Sequence, residues 1–297
     1  MNIALTLVVN PKFGISLDQI ETKAIKALSI GSHDHRDLAE GHACDLVFNY
    51  ASVADAVGKL TDILDAVEGL DWAIQPAEGR RKKLLLADMD STMIPVECID
   101  ELADFVGLKE KVSAITEAAM RGELNFEAAL TERVALLKGL TKAQLADCYK
   151  DRISLMPGAV SLIHTMKANG AYTALVSGGF TYFTSQVGRS IGFDMDHANT
   201  LEIEEGVLTG KVVFPICDAN TKLETLRTLA TERGLSGADI LAVGDGANDI
   251  PMIEAAGLGV AYHAKPKTQA AASAAVRYGD LTSLLYFQGY KDSDFIV

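Results

Sequence analysis

An α/β fold built on a doubly wound parallel sheet, Rossmann-like in layout, is predicted by three features of the sequence. Short apolar runs at residues 84–87, 172–177 and 240–244 end in small or acidic residues. Helical patterns at 159–169, 182–191 and 251–256 lie between or beside them. Strand and helix therefore alternate, as βαβ units of a parallel sheet buried on both faces require. Third, residues 99–150 carry helical periodicity without proline, so a helical insertion interrupts the alternation after strand 84–87.

In chain order, residues 3–9 read as a strand, 17–28 as an amphipathic helix, 44–50 as a strand and 53–67 as a helix ended by Gly69, with 72–75 closing the unit. Over residues 1–78 this order suits a small α+β domain of the ferredoxin-like or ACT-like kind, residues 29–42 supplying a further strand or a loop. Pro76-Ala77-Glu78-Gly79, followed by the basic cluster Arg80-Arg81-Lys82-Lys83, reads as the linker to a second domain at 79–297. That domain opens with strand 84–87 and the insertion at 97–153, which Met156-Pro157-Gly158 ends. Residues 201–210 hold two alternating runs around Glu205-Gly206, a predicted hairpin. A helical stretch with Lys222 near its start, strand 240–244, helix 251–256 and strand 259–261 complete the order.

Hydrophobic residues make up 48% of the 297-residue chain and charged ones 23%, proportions that suit a globular enzyme and argue against widespread disorder. A net charge of −13 argues against nucleic acid or an acidic membrane surface as partner, although a local cluster of cations and N–H groups can still hold a small anion. Cys44, Cys98, Cys148 and Cys217 show neither CxxC nor zinc spacing and are expected as buried free thiols. The first residues have no basic region and read as a strand, not a secretory signal. No uncharged apolar run approaches the ~18 residues of a spanning helix, so a cytoplasmic location is the default expectation.

Asp88-Met89-Asp90-Ser91-Thr92 follows strand 84–87 directly, which delivers two carboxylates to the carboxyl end of a buried parallel strand, where ligands of such sheets bind. Like charges this close repel unless a divalent cation neutralises one or a proton stays on the other, and both remedies belong to metal-assisted phosphoryl transfer. Alone, the five residues fit an acidic loop equally well. Leu175-Val176-Ser177-Gly178-Gly179 ends a strand with a hydroxyl and approachable N–H groups, a cradle for phosphate oxygens or simply a tight turn. Val243-Gly244-Asp245-Gly246-Ala247-Asn248-Asp249 brings hard oxygen ligands of the kind Mg²⁺ takes to the same sheet edge. Lys222, near a helix start, is electrostatically misplaced unless it faces an anion, and is otherwise a solvated surface lysine. His33-Asp34-His35 lacks a third ligand at known spacing and reads as a solvated loop rather than a metal site.

The order of these motifs, Asp-x-Asp-x-Thr, Ser-Gly-Gly, Lys, then Gly-Asp-Gly-x-Asn-Asp, resembles the haloacid dehalogenase superfamily of phosphotransferases. Over residues 84–290 the chain is similar to the phosphoserine phosphatase family within it. Val96-Glu97-Cys98-Ile99-Asp100-Glu101, Leu124-Asn125-Phe126 and Arg133-Val134-Ala135-Leu136-Leu137 carry that likeness further. The resemblance implies a haloacid dehalogenase core with a small helical cap, and Mg²⁺-dependent hydrolysis of O-phospho-L-serine to L-serine and phosphate, the final step of serine biosynthesis. It implies Asp88 as a nucleophile carrying an aspartyl-phosphate, and Asp90 as general acid and then base. Asp88, the Asp90 carbonyl and Asp245 would bind Mg²⁺, with Asp249 orienting them. Ser177, Gly178, Lys222 and Asn248 would hold the phosphate, Glu97 the substrate ammonium and Arg133 its carboxylate, while Phe126 and Met120 would wall the pocket. On residue chemistry alone, Glu97 and Arg133 read as helix surface charges, and Phe126 and Met120 as packing within the insertion. The resemblance also implies that a second aspartate separates phosphoryl transfer from carbon–halogen hydrolysis, so that Asp90 argues against the latter. Another small phosphomonoester, phosphoryl transfer to an alcohol such as homoserine, or an amino-acid-sensing protein with an inactive core are the alternatives, the last opposed by the intact acidic and lysine positions. The N-terminal domain resembles an extra domain of some bacterial members, regulatory or oligomerising, a homodimer included.

Overall fold

The computed structural model describes residues 1–120 and 125–297, with side chains described outside 117–124. The N-terminal segment forms β1 (Asn2–Val9), α1 (Leu17–Leu28), β2 (Asp34–Ala39), β3 (Ala43–Asn49), α2 (Val53–Leu64) and β4 (Leu70–Pro76). Its strands lie in the order β2-β3-β1-β4, every neighbour antiparallel. Residues 29–42 therefore contain a strand. Its polar run Asp34-His35-Arg36-Asp37 concealed it because β2 is the sheet edge, where exposed charges keep the open ladder from pairing with other chains. On β1, Ile3, Leu5, Leu7 and Val9 pack with Ile20, Leu28, Leu60 and Leu64, whereas Val8 joins the core of the rest of the chain. Both faces are buried, which explains the continuous apolar run. α2 ends at Leu64, short of the predicted Val67, where the Val67 N–H closes a tighter turn on the Leu64 carbonyl.

Burial orders the stretch predicted as a linker. Arg80 turns onto β3, its two Nη groups donating to Asp45 Oδ1 at 2.9 Å and Oδ2 at 2.5 Å, while the Thr6 hydroxyl donates to the same carboxylate at 2.6 Å. A bidentate partner satisfies the guanidinium fork, so this charge is tolerated at 8% exposure. Lys82 is buried as well, donating to the carbonyls of Gly79 and Ala238. The basic cluster is thus partly interior, not a solvated boundary.

The remaining strands are β5 (Leu84–Ala87), β6 (Tyr172–Phe180), β7 (Met195–Glu204), β8 (Val207–Val213), β9 (Ile240–Gly244), β10 (Leu258–Tyr262) and β11 (Ala274–Val276). They take the order β11-β10-β9-β5-β6-β7-β8, parallel from β11 to β7. β7 and β8 form the predicted hairpin, and Glu205 and Gly206 at its turn both have positive φ, 48° and 82°, as a type I′ turn requires. A single antiparallel pair, Ala275 with Trp72, joins β11 to β4 and makes, among the described residues, one eleven-stranded sheet. Helices α3 (Cys98–Phe105), α4 (Lys109–Met120), α5 (Phe126–Leu136) and α6 (Lys142–Arg152) stand between β5 and α7 (Ala159–Ala168), where the helical insertion was predicted. They are followed by α8 (Thr181–Ile191) after β6, α9 (Ala219–Glu232) after β8 and α10 (Ile250–Ala255) after β9. β6 and β9 flank β5 on opposite sides, so the chain reverses direction there and leaves a crevice at the carboxyl ends of these strands. Among the described residues, no helix is long and apolar enough to cross a membrane. All four cysteines are buried and free.

Candidate active site

β5 delivers Asp88 to the crevice while the Asp88 N–H still bonds Val243 O of β9 at 3.0 Å. The chain then wraps around one carbonyl: the N–H groups of Thr92, Met93 and Ile94 all donate to Met89 O. This turn places Ser91 at φ 57°, a left-handed conformation uncommon for a non-glycine residue and frequent at functional sites. Asp88 Oδ1 accepts the Met89 N–H at 2.8 Å and the Lys222 ammonium at 2.8 Å. Lys222 comes from the first turn of α9, whose start is fixed by a reciprocal cap between Asp218 and Thr221. It is fully buried and also donates to Asp249 Oδ1 at 2.6 Å. The lysine that looked misplaced at a helix start does face anions.

Asp249 is held in turn by the Gly246 N–H at 3.0 Å. Its carboxylate lies against Gly244, where an added Cβ would collide with it, so glycine is required at the end of β9. Carboxylate oxygens of Asp88, Asp245 and Asp249 lie within 4.8 Å of one another. Burial raises the Asp88 carboxyl well above the usual range, the Asp249 charge adds to it, and Lys222 opposes them. Burial and then Asp249 push Asp245 to about 6. Burial alone would lower the Lys222 ammonium, but Asp88 and Asp249 outweigh it and raise it. Three carboxylates against one ammonium leave surplus negative charge in a hard-oxygen donor set, and that set fits Mg²⁺.

The predicted end of β6 at Ser177 is corrected: the strand runs on to Phe180. Pairing with β7 steps from Val176–His197 to Phe180–Asn199, so Ser177, Gly178 and Gly179 bulge out of the ladder between those pairs. The Ser-Gly-Gly segment is a bulge inside a strand rather than a tight turn, a device that re-aims groups beside active sites. Ser177 Oγ accepts the Gly179 N–H at 2.8 Å. A Cβ on Gly179 would stand 2.7 Å from Asp90 Oδ2, so only glycine admits Asp90 here. Asp90 Oδ1 accepts the Cys98 N–H at 3.3 Å, at the start of α3. Burial and then the Glu97 charge push Asp90 to about 7, against the opposing bonds from Cys98.

The residues predicted to read the substrate are less closely gathered. Glu97, exposed, accepts the Ser91 hydroxyl at 2.9 Å. Arg133 donates from Nε to Ala129 O at 3.2 Å and from Nη1 to Thr116 Oγ1 at 3.5 Å, both within the helical layer. Phe126 stands over the β6 bulge, its Cζ 3.2 Å from where a Cβ on Gly178 would lie. Asn248 is half-buried beside Gly246. Met120 lies outside the described side chains. Sequence reasoning missed Asn199, a 1% exposed side chain that bonds both Gly178 and Cys217. It also missed the Cys98 N–H on Asp90. The available signal for Asn199 was a single amide within the first half of β7, the strand adjoining the β6 bulge.

A family model described as haloacid dehalogenase-like hydrolase matches residues 85–254. A phosphoserine phosphatase of Albidiferax ferrireducens is 47% identical over 208 residues, spanning 68% of this chain and 88% of that protein. Among solved structures, a HAD-family hydrolase from Salmonella enterica serovar Typhi aligns with a TM-score of 0.85 at 32% identity, over 96% of this chain and 98% of the other. A probable phosphoserine phosphatase from Vibrio cholerae aligns at 0.76 and 34% identity, over 97% and 86%.

Proposed function

Because this chain belongs to the haloacid dehalogenase-like hydrolase family, and relatives named phosphoserine phosphatase share nearly half of their aligned residues with it, we propose that it hydrolyses O-phospho-L-serine with Mg²⁺ through an aspartyl-phosphate. In that role it would supply L-serine at the end of its biosynthesis. The observation that carries the reading is the buried Lys222 bridging Asp88 and Asp249 beside Asp245.

Asp88 Oδ1 is occupied by Lys222 and the Met89 N–H, so Oδ2 is the attacking oxygen. As the bond from phosphorus to the serine oxygen breaks and the bond to Asp88 forms, Asp90 gives its proton to the departing oxygen. Its pKa of about 7 leaves that proton present near neutral pH. Asp90, now a carboxylate, then takes a proton from the water that attacks phosphorus, and Asp88 is released. Asp88, the Asp90 carbonyl and Asp245 would hold Mg²⁺, oriented by Asp249, and the bound ion supplies positive charge against the phosphate oxygens. Ser177, Gly178, Lys222 and Asn248 hold those oxygens from the other side. Helices α3 to α6, within residues 97–153, act as a cap in which Glu97 takes the substrate ammonium and Arg133 its carboxylate, while Phe126 and Met120 exclude water. Residues 1–78 serve as a regulatory or dimerising domain.

Phosphate release from O-phospho-L-serine, with Mg²⁺ or EDTA, beside phosphoethanolamine and phosphoglycolate, tests this reading. Mg²⁺-dependent release selective for phosphoserine supports it. Preference for either of the other esters removes the roles of Glu97 and Arg133, and no release from any of them sinks the proposal.

A further inference from the structure

We propose that Asn199 is a positioning residue for the phosphate cradle, setting the direction of the Ser177 hydroxyl and its spacing from Lys222. The inference rests on the function proposed above. It starts from the bulge in β6. In an unbroken ladder the Gly178 carbonyl would bond the neighbouring backbone; here the Asn199 Nδ2 takes that place, donating to Gly178 O at 2.8 Å. The same Nδ2 donates to Cys217 O at 3.2 Å, and Asn199 Oδ1 accepts the Cys217 N–H at 2.7 Å. The Cys217 N–H fixes which end of the amide is oxygen, because the flipped carboxamide would set donor against donor.

Two consequences follow from peptide geometry. The Gly178 carbonyl and the Gly179 N–H belong to one planar unit, so holding the first aims the second. That N–H donates to Ser177 Oγ, which occupies a lone pair of the hydroxyl and leaves its proton to be donated outward, to a phosphate oxygen. Cys217, meanwhile, directly precedes Asp218, the cap of α9 that brings in Lys222. One amide side chain thus fixes both contributors to the anion site, which enter from β6 and from α9. None of its three bonds involves a reacting atom, so Asn199 acts only through the groups it orients.

The test compares Asn199→Ser with Thr184→Val, which removes the Thr184 hydroxyl bond to Asp196, also on β7, and touches no part of the cradle. Asn199→Ser is expected to lower kcat for O-phospho-L-serine about 10- to 100-fold, a fraction of what loss of a whole oxyanion donor costs. It is also expected to weaken inhibition by orthophosphate while leaving the Mg²⁺ concentration for half-activation unchanged. Thr184→Val should lower the melting temperature and leave kcat and orthophosphate inhibition intact. Equal kinetic effects of the two variants at matched stability, or none for Asn199→Ser, would overturn the proposal. Should Asn199→Ser not fold, the unsubstituted protein decides: its Asn199 carboxamide proton resonances must shift when orthophosphate is added with Mg²⁺, and no shift overturns it. A protein that releases no phosphate from phosphoserine, yet shows that shift, loses the substrate assignment and keeps the positioning role.

Discussion

Two buried cations of this chain meet carboxylates in opposite ways. Arg80 faces one carboxylate, Asp45, with a bidentate fork completed by the Thr6 hydroxyl, and the group is neutral as it stands. Lys222 faces Asp88 and Asp249 with Asp245 alongside, and the group is not. Burying charge is costly in either place, but only the first set recovers the cost from its own members. The balanced set is architecture, joining the residues just before β5 to the N-terminal strands. The unbalanced set requires a proton or a further cation, the requirement on which the function proposed above is built.

Four measurements can break or sharpen this contrast. The largest effect is expected for Asp88→Asn, which should lower kcat about 10⁴-fold or more while leaving the melting temperature of the metal-free protein unchanged or higher, since a surplus charge is gone. A fall in melting temperature would mean that the two cation sites are alike after all. Asp45→Ala should do the reverse, destabilising by about 3–5 kcal/mol in urea titrations through an orphaned Arg80, with kcat per folded molecule unaltered.

The third is pH dependence. Asp245 titrates at about 6 and Asp90 at about 7 in the fold, against ~4 for an unfolded aspartate. Between those values the folded chain holds protons that the unfolded chain has lost, so stability falls as pH rises through this window. Melting temperatures in EDTA should therefore drop from about pH 5 to about pH 7.5, and Mg²⁺ should restore them. A flat profile would contradict the surplus charge. The smallest effect belongs to Glu21→Gln, which removes the carboxylate shared by His33 at 2.8 Å and His35 at 3.0 Å. At the surface the change in unfolding free energy should stay under ~1 kcal/mol.

What the sequence disclosed follows the same division. Strands buried on both faces announce themselves as apolar runs, and because three motifs follow such runs, their placement at one sheet edge is legible in the sequence. β2 was not, since an edge strand is selected for charge rather than for period. The fate of Arg80 was hidden because a basic run gives no sign of which member finds a buried carboxylate. The Ser177 bulge was illegible for another reason: it depends on register against β7, a relation between distant segments that local composition does not encode. Asn199 belongs to that relation and escaped with it. The grouping of Glu97, Arg133 and Phe126 came from family likeness alone, and among the described residues Arg133 donates to Ala129 O and Thr116 Oγ1 of the helical layer.

The hairpin has a role beyond closing the sheet. Its β8 side accepts the Gly139 N–H at Leu208 O, returns the Leu208 N–H to Leu140 O, and its turn accepts the Lys142 N–H at Gly206 O, so it is stitched to the junction of α5 and α6. Its β7 side carries Asn199. The hairpin therefore touches the helical layer at one end and the β6 bulge at the other. The strand pair that bonds the α5–α6 junction thus also carries the side chain bonded to Gly178 O, so the helical layer and the proposed anion site share one piece of backbone.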